Sequence, residues 1–171
     1  SQYETEAVRE SFLSAGFRLA AEGEPADAVV INTCTVTAES DRKSAKAIRR
    51  AIRENPGAVL LVIGCYAERS AAEIARIPGV SYISGTVNKM ACVFVALRLL
   101  GERAADLPPR PPEISVLPLA GAGYEPMSVS SAPRTRAYIK IADGCDRRCA
   151  YCVIPSIRGR YRSRPVASIL D

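Results

Sequence analysis

The sequence predicts an α/β fold built on a parallel sheet, and three observations lead there. Over the first hundred residues, segments of helical period alternate with short apolar, β-branched runs. The runs at 28–32 and 58–63 are of the kind that suits strands covered on both faces. At 48% hydrophobic, a chain of 171 residues can bury a core, and no apolar run is long enough to span a bilayer.

The elements follow in order. Residues 4–15 read as a helix with Val8, Phe12 and Leu13 on one face and Gly16 as its stop. Residues 28–32 read as the first strand. A helix over 38–54 follows, with Ala45, Ile48 and Ile52 sharing a face and Asn55-Pro56-Gly57 ending it. Residues 58–63 form the second strand. Ser70-Ala71-Ala72-Glu73 has the form of a capping box that opens a short helix. Residues 80–83 form the third strand. A helix over 88–100 closes the series, with Gly101 as its stop and Cys92 as a small core residue. Seven of the twelve prolines then fall between Pro108 and Pro133, which predicts an extended, semi-rigid linker. Residues 136–142 read as a strand in which Ala137, Ile139 and Ile141 alternate with Tyr138 and Lys140. A helix begins near Val166.

The chemistry concentrates after that strand. Cys145, Cys149 and Cys152 stand at C-x3-C-x2-C spacing on one short loop. Thiolates at such spacings hold iron–sulfur clusters, and three of them leave one iron of a cube open. A disulfide framework fits poorly. An odd set of three leaves a thiol over, and we expect no secretory leader because residues 1–20 hold no apolar core. Zinc is the alternative. It needs a closed tetrahedron, and in a chain with no histidine it has to recruit a distant Cys or an Asp. Two further cysteines follow predicted strands: Cys34 after 28–32 and Cys65 after 58–63. In a parallel sheet both lie at the carboxyl edge, where such folds bind ligands. They read as a second metal site or as two unrelated core thiols.

Residues 144–165, GCDRRCAYCVIPSIRGRYRSRP, resemble the cluster loop of radical S-adenosylmethionine enzymes, and within them the methylthiotransferases. Ile31-Asn32-Thr33-Cys34-Thr35-Val36-Thr37 and Ile63-Gly64-Cys65-Tyr66-Ala67 match the same family. The resemblance implies a Rossmann-like, flavodoxin-like methylthiotransferase domain over 1–103, a proline-rich linker over 104–135, and the first strand and cluster loop of a radical S-adenosylmethionine (β/α) barrel over 136–171. It implies that Cys145, Cys149 and Cys152 hold a [4Fe–4S] cluster whose open iron chelates S-adenosylmethionine, and that Tyr151 packs near the adenine, with loop packing as its other role. It implies that Cys34 and Cys65 are two of three ligands of an auxiliary [4Fe–4S] cluster that supplies sulfur. The third ligand and the opening strand are expected to precede Ser1, so the 171 residues alone are expected not to turn over.

The implied reaction is methylthio insertion at C2 of a modified adenosine in tRNA. Ser1-Gln2-Tyr3-Glu4-Thr5-Glu6 resembles the threonylcarbamoyladenosine branch, placed ahead of the isopentenyladenosine branch and of the branch acting on a ribosomal-protein aspartate. The implied partners are tRNA, S-adenosylmethionine and an electron donor such as flavodoxin or ferredoxin, in the cytoplasm and without a membrane. A non-catalytic iron–sulfur or RNA-binding module is the reading from another class. Charge agrees with a polyanion. Residues 134–164 hold nine basic residues and two acids, more net positive charge than the whole chain's +5. The bland reading is a solvated basic surface.

Overall fold

The computed structural model describes residues 2–21, 23–106, 108, 110–130 and 138–170. They fall into two compact units, one of residues 19–117 and one of residues 1–18 with 118–171.

The first unit is a parallel sheet with crossover helices. It runs β1 (Ala28–Thr33), α2 (Ala38–Glu54), β2 (Val59–Gly64), α3 (Cys65–Ala75), β3 (Val80–Ser84), α4 (Ala91–Ala104) and β4 (Glu113–Ser115), with strand order β1-β2-β3-β4. Every neighbouring pair is parallel. β2 is central and buried at all six positions. Its residues Leu60 and Val62 join Ile48 of α2, Tyr66, Ala67 and Ile74 of α3, and Val80 and Ile83 of β3 in one cluster. The alternate residues Val59, Leu61 and Ile63 face the other way and are equally buried. α4 packs on β2 and β3 and buries Cys92, Val95 and Ala96.

Local chemistry sets the boundaries. Thr37 caps α2 by accepting the Ser40 amide at 3.1 Å, and Glu39 and Asp41 complement the helix dipole in the first turn. At the other end Asn55 donates its side-chain amide to Ala51 O at 3.2 Å and accepts the Ala26 amide at 2.9 Å, tying the helix end to the approach to β1. Ser81 is an extra residue between β3 and β2, and its hydroxyl accepts the Leu60 amide at 3.2 Å that the irregular ladder leaves over.

The second unit holds α1 (Gln2–Ser14), a two-residue ribbon of β5 (Ala142–Asp143) against β6 (Arg162–Ser163), and the short helices α5 (Ile154–Arg158) and α6 (Val166–Leu170). Tyr3 of α1 donates to Met127 O at 2.6 Å and accepts from Arg164 Nη1 at 3.1 Å.

Several expectations change. Leu13 is exposed, and α1 buries Tyr3, Glu4, Ala7, Val8 and Phe12 instead. The helix expected from Ser70 begins at Cys65, and Ser70 marks a kink inside it (φ −128°, ψ 34°). Gly101 does not stop α4, which runs to Ala104 with Arg98 and Glu102 paired at 2.9 Å across the glycine. The proline-rich stretch contains β4, which pairs with β3 and is tied to α4 by the Arg98–Glu113 ion pair. Of the strand expected over 136–142, residues 136 and 137 lie outside the described residues. The described strand is only Ala142–Asp143, and it is antiparallel to β6. Its alternation is not kept: Tyr138, Ile139 and Ile141 are all exposed while the Lys140 side chain is nearly buried, because the ammonium finds two carboxylates inside. Among the described residues no helix is long and apolar enough to cross a membrane.

Truncating Leu61, which is fully buried at the centre of β2, should cost ~2–5 kcal/mol. In urea, Leu61→Ala is expected to lower the unfolding midpoint with little change in slope; a midpoint within error of the parent would deny β2 its central role.

Candidate metal centre

The cysteine loop is built from its stems inward. β5 and β6 pair Asp143 with Arg162, and Gly144 turns the chain out of β5 with φ +74°. A Cβ there would sit 2.0 Å from Arg160 O, so only glycine fits. The Cys145 amide donates to Gly159 O at 3.1 Å, and the Tyr161 amide donates to Asp146 Oδ1 at 3.1 Å. The base of the loop is therefore closed on both strands. Within it, the Cys152 amide donates to Cys149 O at 3.0 Å, and α5 follows with Pro155 in its first turn, a position that needs no amide proton.

Cys145 and Cys152 are half-buried and Cys149 is exposed. Cys145 lines a cavity of about 370 Å³ with Asp146, Arg148, Pro155, Gly159 and Arg160. Arg147, Arg148 and Arg160 are exposed and, among the described residues, have no ion-pair partner. Tyr151 is 93% exposed, so it does not serve loop packing. The donor set fits a thiolate-bound metal: three cysteines share one loop, the first beside a cavity, in a chain without histidine. Among the described residues, however, no three Cys, Asp or Glu side chains are gathered tightly enough to hold an ion.

Beneath the loop lies a buried ionic cluster that the sequence did not reveal. Lys140 Nζ lies 2.7 Å from Glu4 Oε1 and 2.6 Å from Asp143 Oδ2. Arg158 Nη1 lies 3.3 Å from Glu4 Oε1 and 2.9 Å from Asp143 Oδ1, and Arg162 Nη2 lies 3.9 Å from Asp143 Oδ2. The Glu4 side chain is fully buried, and those of Asp143 and Lys140 nearly so. Asp143 Oδ1 also accepts the Gly144 amide at 2.8 Å. Burial alone would lower the Lys140 ammonium, but Glu4 and Asp143 outweigh it and hold it above the usual lysine range. Burial would raise the Asp143 carboxyl; Lys140 and Arg158 outweigh that and hold it below the usual carboxylate range. The basic segment is thus of two kinds. Lys140, Arg158 and Arg162 are internal counterions, and Arg164 bonds Tyr3 and Ser168. Arg147, Arg148 and Arg160 face solvent.

The second pair of cysteines sits at the carboxyl edge of the sheet. Thr33 aligns with Gly64, so Cys34 and Cys65 leave neighbouring strands at equivalent positions. The strands approach closely there: a Cβ on Gly64 (φ +99°) would lie 2.7 Å from both Asn32 Oδ1 and Thr33 O. Thr33 Oγ1 donates to Ile63 O at 2.7 Å and accepts the Ala67 amide at 3.3 Å, pinning α3 to the strand ends. Ser44 of α2 brackets Cys34, donating to its carbonyl at 3.1 Å and accepting its amide at 3.4 Å. Cys34 is exposed and Cys65 is buried. The Thr35 and Ser84 hydroxyls near this edge are buried, with no hydrogen-bond partner among the described residues. Sequence reasoning passed over both, although Thr35 lies inside the Ile31–Thr37 motif.

Comparison with known proteins bears out the family resemblance. Uncharacterized protein family UPF0004 matches residues 1–85. The chain is 41% identical over 172 residues to the threonylcarbamoyladenosine tRNA methylthiotransferase MtaB of Bacillus subtilis (strain 168), covering 99% of this chain and 37% of that protein. It is 30% identical to the MtaB of Aquifex aeolicus (strain VF5), over 99% of this chain and 40% of that one. The ribosomal protein uS12 methylthiotransferase RimO of Roseiflexus sp. (strain RS-1) is 34% identical, over 99% of this chain and 39% of the relative. The chain therefore spans well under half the length of these relatives.

The ionic cluster makes stability depend on pH in a defined direction. The Asp143 contribution is present above the unfolded carboxylate value of ~3.9 and is lost as pH falls through its depressed folded value. The Lys140 contribution is present below ~10.4 and is lost as pH rises through its raised folded value. Asp143→Asn should remove the acid limb and cost ~3–5 kcal/mol at neutral pH, since it strands buried cations. Urea unfolding of parent and variant between pH 2 and pH 7, on the order of one unit per step, measures both; parallel curves would contradict the assignment.

Proposed function

The chain belongs to the methylthiotransferase family that carries the UPF0004 domain, and from that premise we propose that the intact protein inserts a methylthio group at C2 of N6-threonylcarbamoyladenosine in tRNA. The observation that carries this reading is the three-cysteine loop beside a cavity flanked by Arg148 and Arg160, in a chain 41% identical to an MtaB. Cys145, Cys149 and Cys152 would hold a [4Fe–4S] cluster, which when bound supplies the electron that cleaves S-adenosylmethionine and starts radical chemistry at an unactivated carbon.

The chain's own residues bind and orient. Arg148 and Arg160, with no ion-pair partner among the described residues, offer guanidinium groups to an anion at the cavity, a carboxylate of the cosubstrate or a phosphate of the RNA. Tyr151 presents an open aromatic face suited to stacking on adenine. Cys34 and Cys65, brought to one sheet edge, would serve an auxiliary [4Fe–4S] cluster from which sulfur is delivered. A flavodoxin or ferredoxin would supply the reducing electron. Substrate contact then rests on Arg147, Arg148 and Arg160, because Lys140, Arg158 and Arg162 are committed inside.

The second reading is action on the uS12 aspartate, favoured by the 34% identity to a RimO. Nucleoside analysis of tRNA from a strain carrying Cys149→Ala in the intact protein decides between them. Loss of methylthio-threonylcarbamoyladenosine is expected; a full level of that nucleoside with unmodified uS12 would move the substrate to the ribosomal protein. Contact with RNA has its own signature. Replacing Arg148 and Arg160 by Ala should weaken tRNA binding and reduce the slope of log K against log salt by about one per residue. An unchanged slope would leave these arginines to the cosubstrate.

A further inference from the structure

The family match begins at residue 1, yet α1 lies in the unit with residues 118–171, apart from the unit that holds the sheet. There the Glu4 carboxylate is completely buried, 136 residues in sequence from Lys140 and 154 from Arg158. Both cations also grip Asp143, one residue before Gly144. Arg158 is the last residue of α5, just before Gly159, whose carbonyl accepts the Cys145 amide. Asp143 and Arg158 therefore flank the two ends of the cysteine loop, and Glu4 is the second anion that Lys140 and Arg158 share. With Glu4 neutral, the charge that Lys140 and Arg158 place beside Asp143 would lose one of the two carboxylates that balance it among the described contacts.

We propose that Glu4 is a positioning residue for the cysteine loop: through Lys140 and Arg158 it fixes Asp143 and the loop base, and so the setting of Cys145 and Cys152. This rests on the reading of the loop as a metal-binding site, but its test does not require metal. In the intact protein without metal, half-buried Cys145 and Cys152 react with iodoacetamide only when the loop opens, whereas Cys149 is already exposed. Glu4→Gln is expected to raise the alkylation rates of Cys145 and Cys152 by about tenfold. The rate at Cys149 should stay as it is, and Cys92, fully buried in the sheet unit, should stay unreactive. Glu4→Asp, which keeps the charge, should restore most of the protection.

Equal rates at Cys145 in parent and Glu4→Gln overturn the proposal. So does a rise matched at Cys92, which marks general unfolding, and so does Glu4→Asp behaving as Glu4→Gln. Reconstituting the parent protein with iron and sulfide tests the other reading separately. A parent that takes up no cluster sinks the metal assignment and leaves the alkylation result standing. A parent that takes up a cluster, with Glu4→Gln losing it to a chelator at the parent rate, sinks the role of Glu4 alone.

Discussion

Two carboxylates withdrawn from water can stay ionised only if cations come inside with them. Glu4 and Asp143 meet that condition by sharing Lys140 and Arg158, with Arg162 close to Asp143. The cost of desolvation makes this arrangement unforgiving: each charge is stable only while the others are in place. The two-residue ribbon of β5 and β6 has too few ladder bonds to hold itself. Its position depends on the charges packed around it, and the loop that carries Cys145 inherits that position.

The sheet unit works by the opposite means. β2 is apolar on both faces, so register and helix placement follow from burial, and polar contacts appear only at the ends. Parallel strands deliver their chain ends to a common edge, which is how Cys34 and Cys65 come together from 31 positions apart with no direct contact between their side chains required. Thr33 and Gly64 make the approach close, and the buried hydroxyls of Thr35 and Ser84 make that edge polar inside.

How much of this could be read in advance follows from the range of each interaction. The strands and α2 were legible because their signals are local: β-branched runs, a 3.6-residue stripe, and Asn55-Pro56-Gly57 at a helix end. The cysteine loop was legible as chemistry, since thiol spacing is written in consecutive residues. Glu4 was not, because nothing in Gln2-Tyr3-Glu4-Thr5 shows that a carboxylate will be buried against Lys140 far along the chain. The same blindness misplaced Ile139, Lys140 and Ile141, since a period-two pattern assigns the two isoleucines inward without weighing what a charged partner does for Lys140. Gly101 misled because helix-breaking propensity, about 1 kcal/mol against Ala, is smaller than the packing that carries α4 onward.

The rims of the sheet are unlike each other. β4 is three residues long, follows Pro111 and Pro112, and carries Glu113, a poor template for another strand. β1 is six residues long, uncharged, and first in the strand order, with no strand on its outer side among the described residues. β1 is therefore the rim with the longer run of backbone groups that no described strand pairs.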